Sequence, residues 1–79
     1  MTPTVFRDGP FRFFFFSREE VRIHVHVSHP DGEAKFWLKP EVELASQTGI
    51  AKHVVTEAQK LVEDHLQEIV DARNEHFSS

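Results

Sequence analysis

Two histidines two residues apart, His24 and His26, are the residues here whose type and spacing could do chemistry. They stand in Arg22-Ile23-His24-Val25-His26-Val27, where polar and apolar side chains alternate strictly. A β-strand sends successive side chains to opposite faces, so both imidazoles fall on one face, about 6–7 Å apart at Cα. A second alternating run, Glu33-Ala34-Lys35-Phe36-Trp37-Leu38-Lys39, puts Lys35 and Trp37 on one face and Ala34, Phe36 and Leu38 on the other. Between the runs, His29-Pro30-Asp31-Gly32 has the composition of a hairpin turn. A two-residue Asp31-Gly32 loop sets His26 opposite Trp37; a four-residue loop sets His26 opposite Lys35 and His24 opposite Trp37. The two registers differ by two residues, so His24, His26, Lys35 and Trp37 share a face in either.

Three chemistries suit that face. Two imidazoles at this spacing can converge on one metal ion, although a stable zinc site wants three or four ligands. The sequence supplies no cysteine, and leaves the direction of His29, a possible third ligand, open. The same pair can act as base and acid in metal-independent RNA cleavage, because unperturbed imidazoles titrate near pH 6.5. Lys35 and Arg12 would then offset phosphate charge, and Trp37 would stack on a base. Finally, the face can bind a protein. If Phe11, Phe13 and Phe15 face the core, Phe14 and Phe16 are left beside Trp37 on the other side, and uncovered apolar patches mark partner surfaces. His-x-His is also common on half-exposed strands, so the pattern by itself selects none of these.

The elements that must position these residues are legible from periodicity. Strands are expected at Val5–Arg7, Phe11–Ser17, Val21–Ser28 and Glu33–Lys39, with Asp8-Gly9-Pro10 turning between the first two and a short extended segment over Glu41–Leu44. From Ile50 the apolar period becomes helical (Ile50, Val54, Ala58, Leu61, Leu66, Ile69), and no Gly or Pro interrupts Ile50–Phe77. Thr48 is the expected N-cap. One helix over about 49–77 would be about 40 Å long at 1.5 Å per residue, whereas a strand spans about 17–20 Å. It must overhang, pack on a second copy or kink, and the capping-box-like Asp64–Gln67 places a kink near 63–65. The expected fold is therefore α+β: an antiparallel sheet of about four strands over residues 4–44, covered on one face by a long C-terminal helix. Val21, Ile23, Val25, Val27, Ala34, Phe36 and Leu38 form the sheet side of the core, and Ile50, Val54, Ala58, Leu61, Val62, Leu66 and Ile69 the helix side. His65 falls within the apolar arc of the helix, as a hydrogen-bonded, partly buried histidine.

Seventy-nine residues make one domain, 1–79, near the lower limit for a self-sufficient core. The longest apolar run, Phe13–Phe16, is far too short to cross a bilayer, which takes roughly 20 apolar residues. A cysteine-free chain with no export-signal pattern fits the cytoplasm. Residues 1–40 carry six Lys/Arg and five Asp/Glu, while residues 41–79 carry three and eight, within an overall charge of −4. Such a balance argues against nonspecific phosphate-backbone binding, which rests on many basic contacts, but allows a local basic patch in the first half. No P-loop, G-x-G-x-x-G, H-E-x-x-H or EF-hand spacing occurs, so no cofactor is expected.

Several strings taken together resemble the small bacterial family known as domain of unknown function 4160. They are Pro3-Thr4-Val5-Phe6-Arg7, Arg12-Phe13-Phe14-Phe15-Phe16-Ser17, His24-Val25-His26-Val27, Gly32-Glu33-Ala34-Lys35-Phe36-Trp37-Leu38, Glu41-Val42-Glu43-Leu44-Ala45 and Asn74-Glu75-His76-Phe77. The family carries prolines just before its His-x-His, where this chain has Arg22-Ile23. The resemblance implies a component of a toxin–antitoxin-type gene pair acting through a small protein partner or as a homodimer. The His/Lys/Trp face is its expected site.

Overall fold

The structure is a computed structural model and describes residues 4–15 and 22–77. Among these residues five strands, β1 (Thr4–Asp8), β2 (Phe11–Phe14), β3 (His24–His29), β4 (Gly32–Trp37) and β5 (Glu43–Thr48), precede two helices, α1 (Lys52–Asp64) and α2 (Leu66–Phe77). The strands form one antiparallel meander in the order β1-β2-β3-β4-β5. The α+β class is as expected, with one more strand and one more helix than the sequence suggested.

The additional strand is β5, expected only as a short segment over Glu41–Leu44. Leu44-Ala45-Ser46-Gln47-Thr48 shows little alternation because β5 is an edge strand, solvent-exposed on both faces except at half-buried Ala45. Backbone pairing with β4 makes it a strand. The pairing runs Glu33↔Thr48, Ala34↔Gln47 and Lys35↔Ser46, then skips Ala45 to Phe36↔Leu44. Ala45 is thus a bulge. Because Thr48 ends β5, it does not cap the helix; Ala51 does, without a side-chain hydrogen bond.

The helix breaks at His65, inside the expected interval. His65 leaves helical geometry (φ −108°, ψ 17°). Its N–H still bonds the Leu61 carbonyl, and its own carbonyl accepts the Ile69 N–H, so it closes α1 and opens α2. Glu68, three residues on, reaches back to the His65 ring Nδ1 at 3.0 Å. The motif lies one residue later than Asp64–Gln67. The break resolves the length mismatch: the 13-residue α1 is about 20 Å long, close to a strand.

The core lies between the helices and one sheet face. Phe11, Phe13, Phe15, Val25, Val27, Ala34, Phe36 and Leu38 meet Ile50, Val55, Ala58, Val62 and Ile69, with Ile23, Val54, Leu61 and Leu66 partly buried around them. Phe6 on β1 stacks on Phe13 with ring centroids 4.2 Å apart. Val21, expected in the core, lies outside the described residues.

Two glycines hold the sheet's end against the helix entry. A Cβ on Gly32 would stand 1.9 Å from the Thr48 carbonyl oxygen. Gly49 has φ +78° and a Cβ there would meet the Asp31 carbonyl oxygen at 2.6 Å. The β3–β4 turn therefore packs backbone to backbone on the β5–α1 junction, which only glycine permits.

Candidate functional site

The β3–β4 register is the wider of the two expected. His24 pairs with Trp37, His26 with Lys35, and pairing continues to His29↔Gly32. Arg12 pairs with Ser28, and Phe14 with His26. The sheet face away from the helices thus reads Phe14–His26–Lys35–Ser46 in one cross-strand row and Arg12–Ser28–Glu33–Thr48 in the next.

On this face a chain of rings runs diagonally across three strands. The Phe14 and His26 rings stack at 5.5 Å, His26 meets His24 edge-on at 5.0 Å, and His24 meets Trp37 edge-on at 5.8 Å. Cations close both ends. The Arg12 guanidinium lies 4.6 Å from the Phe14 centroid; Arg22 and Lys35 lie 4.5 and 4.6 Å from Trp37. Arg22 is further fixed by its Nε–H, which donates to the Lys39 carbonyl at 3.1 Å, and by the Glu43 carboxylate at 3.9 Å.

Burial divides the expected site residues. Phe14, expected to lie uncovered, is only 4% exposed, with the Arg12 guanidinium and the His26 ring against it. Phe16 lies outside the described residues. Trp37 is half-buried and carries two cations. The apolar patch expected from Phe14 and Trp37 is therefore a cation–aromatic row. His24 is 2% exposed, and its Nδ1 sits 2.9 Å from the Arg22 carbonyl. A carbonyl only accepts, so the His24 Nδ1–H is the donor of this bond. His26 is the imidazole of the pair that reaches the open surface.

That surface is an open depression of about 200 Å³ lined by His26, Glu33, Lys35, Ser46 and Thr48, among others. Lys35 and His26 line it, while Trp37, under the Lys35 ammonium, and Arg12, against Phe14, do not. Ser46 and Thr48 were missed in the sequence because their facing follows only once the bulge at Ala45 is known. His29 does not join His24 and His26. It has the parity of Val25 and Val27, packs on core-side Phe11 at 5.1 Å, and its Nδ1 accepts the Asp31 N–H at 3.0 Å. Among the described residues no three His, Cys, Asp or Glu gather as metal ligands. Two imidazoles at most are available to a metal on this face.

His65 sits elsewhere, half-buried at the joint of the two helices. Its ring lies 4.4 Å from Phe6, with Nε2 4.0 Å from the Asp8 carboxylate, and so ties the β1–β2 turn to the helix break.

No helix among the described residues is long and apolar enough to cross a membrane. No curated protein and no solved structure matches the chain significantly. A family profile matches residues 11–72, from the first core phenylalanine through the His-x-His, β5 and the helix break. The chain belongs to the family described as domain of unknown function (DUF4160).

Proposed function

We propose that the chain is a toxin–antitoxin-type component that works by binding a small protein partner across the open sheet face. The observation that supports this reading is the cation–aromatic row from Arg12 to Arg22, preorganised on the face that neither helix covers. Half-buried aromatics flanked by arginine are what interface cores favour, and rings already locked by their neighbours lose little entropy on binding. Both sheet edges carry an irregularity, β1 at Thr4/Phe6 and β5 at Ala45, and bulged edges disfavour strand addition. A partner would therefore dock on the face. RNA cleavage by a His24/His26 pair has less support, since His24 is closed to a substrate. Metal binding lacks a third protein ligand among the described residues.

The test is co-expression with the products of the neighbouring genes, followed by light scattering. The expected result is a defined complex or homodimer that Lys35→Glu with Trp37→Ala dissociates while circular dichroism is unchanged. A chain that stays monomeric and captures no neighbour would sink the proposal. Growth assays of each gene alone and together assign the toxin or antitoxin role.

A further inference from the structure

We infer that Arg7 and Arg12 form a two-guanidinium clamp at the β1–β2 end of the open sheet face, and that its ligand is a carboxylate carried by the protein partner. Arg7 stands directly opposite Arg12 across the β1–β2 ladder. Both take the face away from the helices, because their neighbours Phe6 and Phe13 stack on the core side. Directly opposed strand residues lie about 4.5–5.5 Å apart at Cα, and like charges in that position oppose folding. No carboxylate among the described residues pairs with either arginine.

The nearby acids are engaged or out of reach. Asp8 follows Arg7 in sequence but takes the other face, with its Oδ2 4.0 Å from the His65 Nε2. Glu33 stands in the Arg12 row beyond Ser28, two strands away, or about 10 Å at about 4.7–4.9 Å per strand, a distance that salt screens. Arg22, at the other end of the aromatic row, has both the Lys39 carbonyl and the Glu43 carboxylate. Arg12 has neither kind of partner among the described residues: its Nε is buried with no acceptor, and its guanidinium lies 4.6 Å from the Phe14 centroid. The charge has lost water on one side and gained only a ring there, which makes an anion at its Nη end more favourable.

The chemistry favours a protein carboxylate. A guanidinium fork matches a carboxylate in plane and spacing, and arginines beside aromatics are enriched where proteins meet. Nucleic acid fits less well. Phosphate backbones are gripped by many basic contacts, whereas this chain carries a net charge of −4 and places Glu33 in the same row. The adjacent Phe14 ring is buried and offers no platform to a base. Arg7 is exposed and Arg12 half-buried, so a docking partner can reach both and exclude water from the pair, which strengthens the attraction.

This inference rests on the proposed partner site, and two separate measurements keep their failures apart. On the chain alone, arginine Nε–H and amide resonances are followed by NMR during titration with an acetylated, amidated hexaglutamate peptide, its hexaglutamine counterpart and a single-stranded RNA oligonucleotide, all at equal ionic strength. Saturable shifts at Arg7 and Arg12 with hexaglutamate are expected. Arg7→Gln and Arg12→Gln should each weaken binding roughly three- to tenfold, and the helix control Lys60→Gln not at all. Arg7→Glu supplies the missing carboxylate from within the sheet. It should abolish peptide binding while raising the urea midpoint, so that lost binding is not lost fold. Where co-expression yields a complex, Arg7→Glu should dissociate it; an undisturbed complex would overturn the clamp and leave the partner reading intact. Hexaglutamate binding without any complex would support the clamp and strike the partner reading. Absence of saturable shifts, equal binding of hexaglutamine, tighter binding of the RNA, or parent affinity in Arg7→Glu would each overturn the assignment.

Discussion

Phe36 and His29 show how differently single residues are used. Phe36 is fully enclosed, between Val25 on β3 and Leu44 on β5, with the helices above it. Phe36→Ala should cost about 3–5 kcal/mol, the usual range for a buried phenylalanine, in urea denaturation. A loss below about 1 kcal/mol would mean that the site collapses or is not core. His29 is used for one nitrogen. Its Nδ1 accepts the Asp31 N–H, as an aspartate or asparagine oxygen does in an Asx-turn. His29→Ala should therefore cost about 0.5–1.5 kcal/mol, and His29→Asp should recover most of it by restoring an acceptor. Equal losses for both would show that the contact of the ring with Phe11 matters more than the hydrogen bond.

At the scale of elements, the β3–β4 turn and the β5–α1 junction behave as one unit. Gly32→Ala drives a methyl into the Thr48 carbonyl oxygen, which is backbone and cannot rotate away. Overpacking of this kind costs about 1–3 kcal/mol or more. The same variant should perturb the amides of Ser46 and Thr48, because β5 must move to admit the methyl. Loss of stability without change at β5 would argue against the coupling. The helix joint is held differently, by side chains. His65 touches Phe6, Asp8 and Glu68, so His65→Ala should loosen the β1–β2 edge as well as the helix break. Hydrogen exchange at Phe6 and Arg7 that rises together with exchange at Leu66–Ile69 is the expected result.

For the whole molecule, charge and exposure are segregated. The sheet face holds the cations of the aromatic row, while residues 41–79 hold eight of the thirteen acidic side chains. Leu44 is the large apolar residue most exposed among those described, at 38%, and it sits beside the Ala45 bulge. A bulge on an edge strand interrupts the regular ladder that another chain would pair with. Deleting Ala45 should regularise β5 without exchanging its faces, and should raise self-association in light scattering. An unchanged monomer would mean that the edge is guarded by other means.

Much of this protein was decided locally and could be read from the chain. Strict alternation in β3 and β4 settled which side chains share a face, because the period of a strand is two whatever its register. The helical period from Ile50 and the capping pattern near His65 located both the helix and its break. Val25, Val27, Phe36, Ala58 and Ile69 were recognisable as core for the same reason. What the chain alone left open depended on partners distant in sequence. β5 has no periodicity of its own, and becomes a strand only because β4 offers a ladder. Its bulge turns Ser46 and Thr48 toward Lys35, and so creates the depression. Phe14 looked uncovered because alternation says which face a residue takes, not what else lies there; Arg12 and His26 cover it. His24 and His26 look alike in sequence. Their unequal exposure arises from the cross-strand packing of Trp37 and Phe14, an arrangement set only when the sheet is assembled.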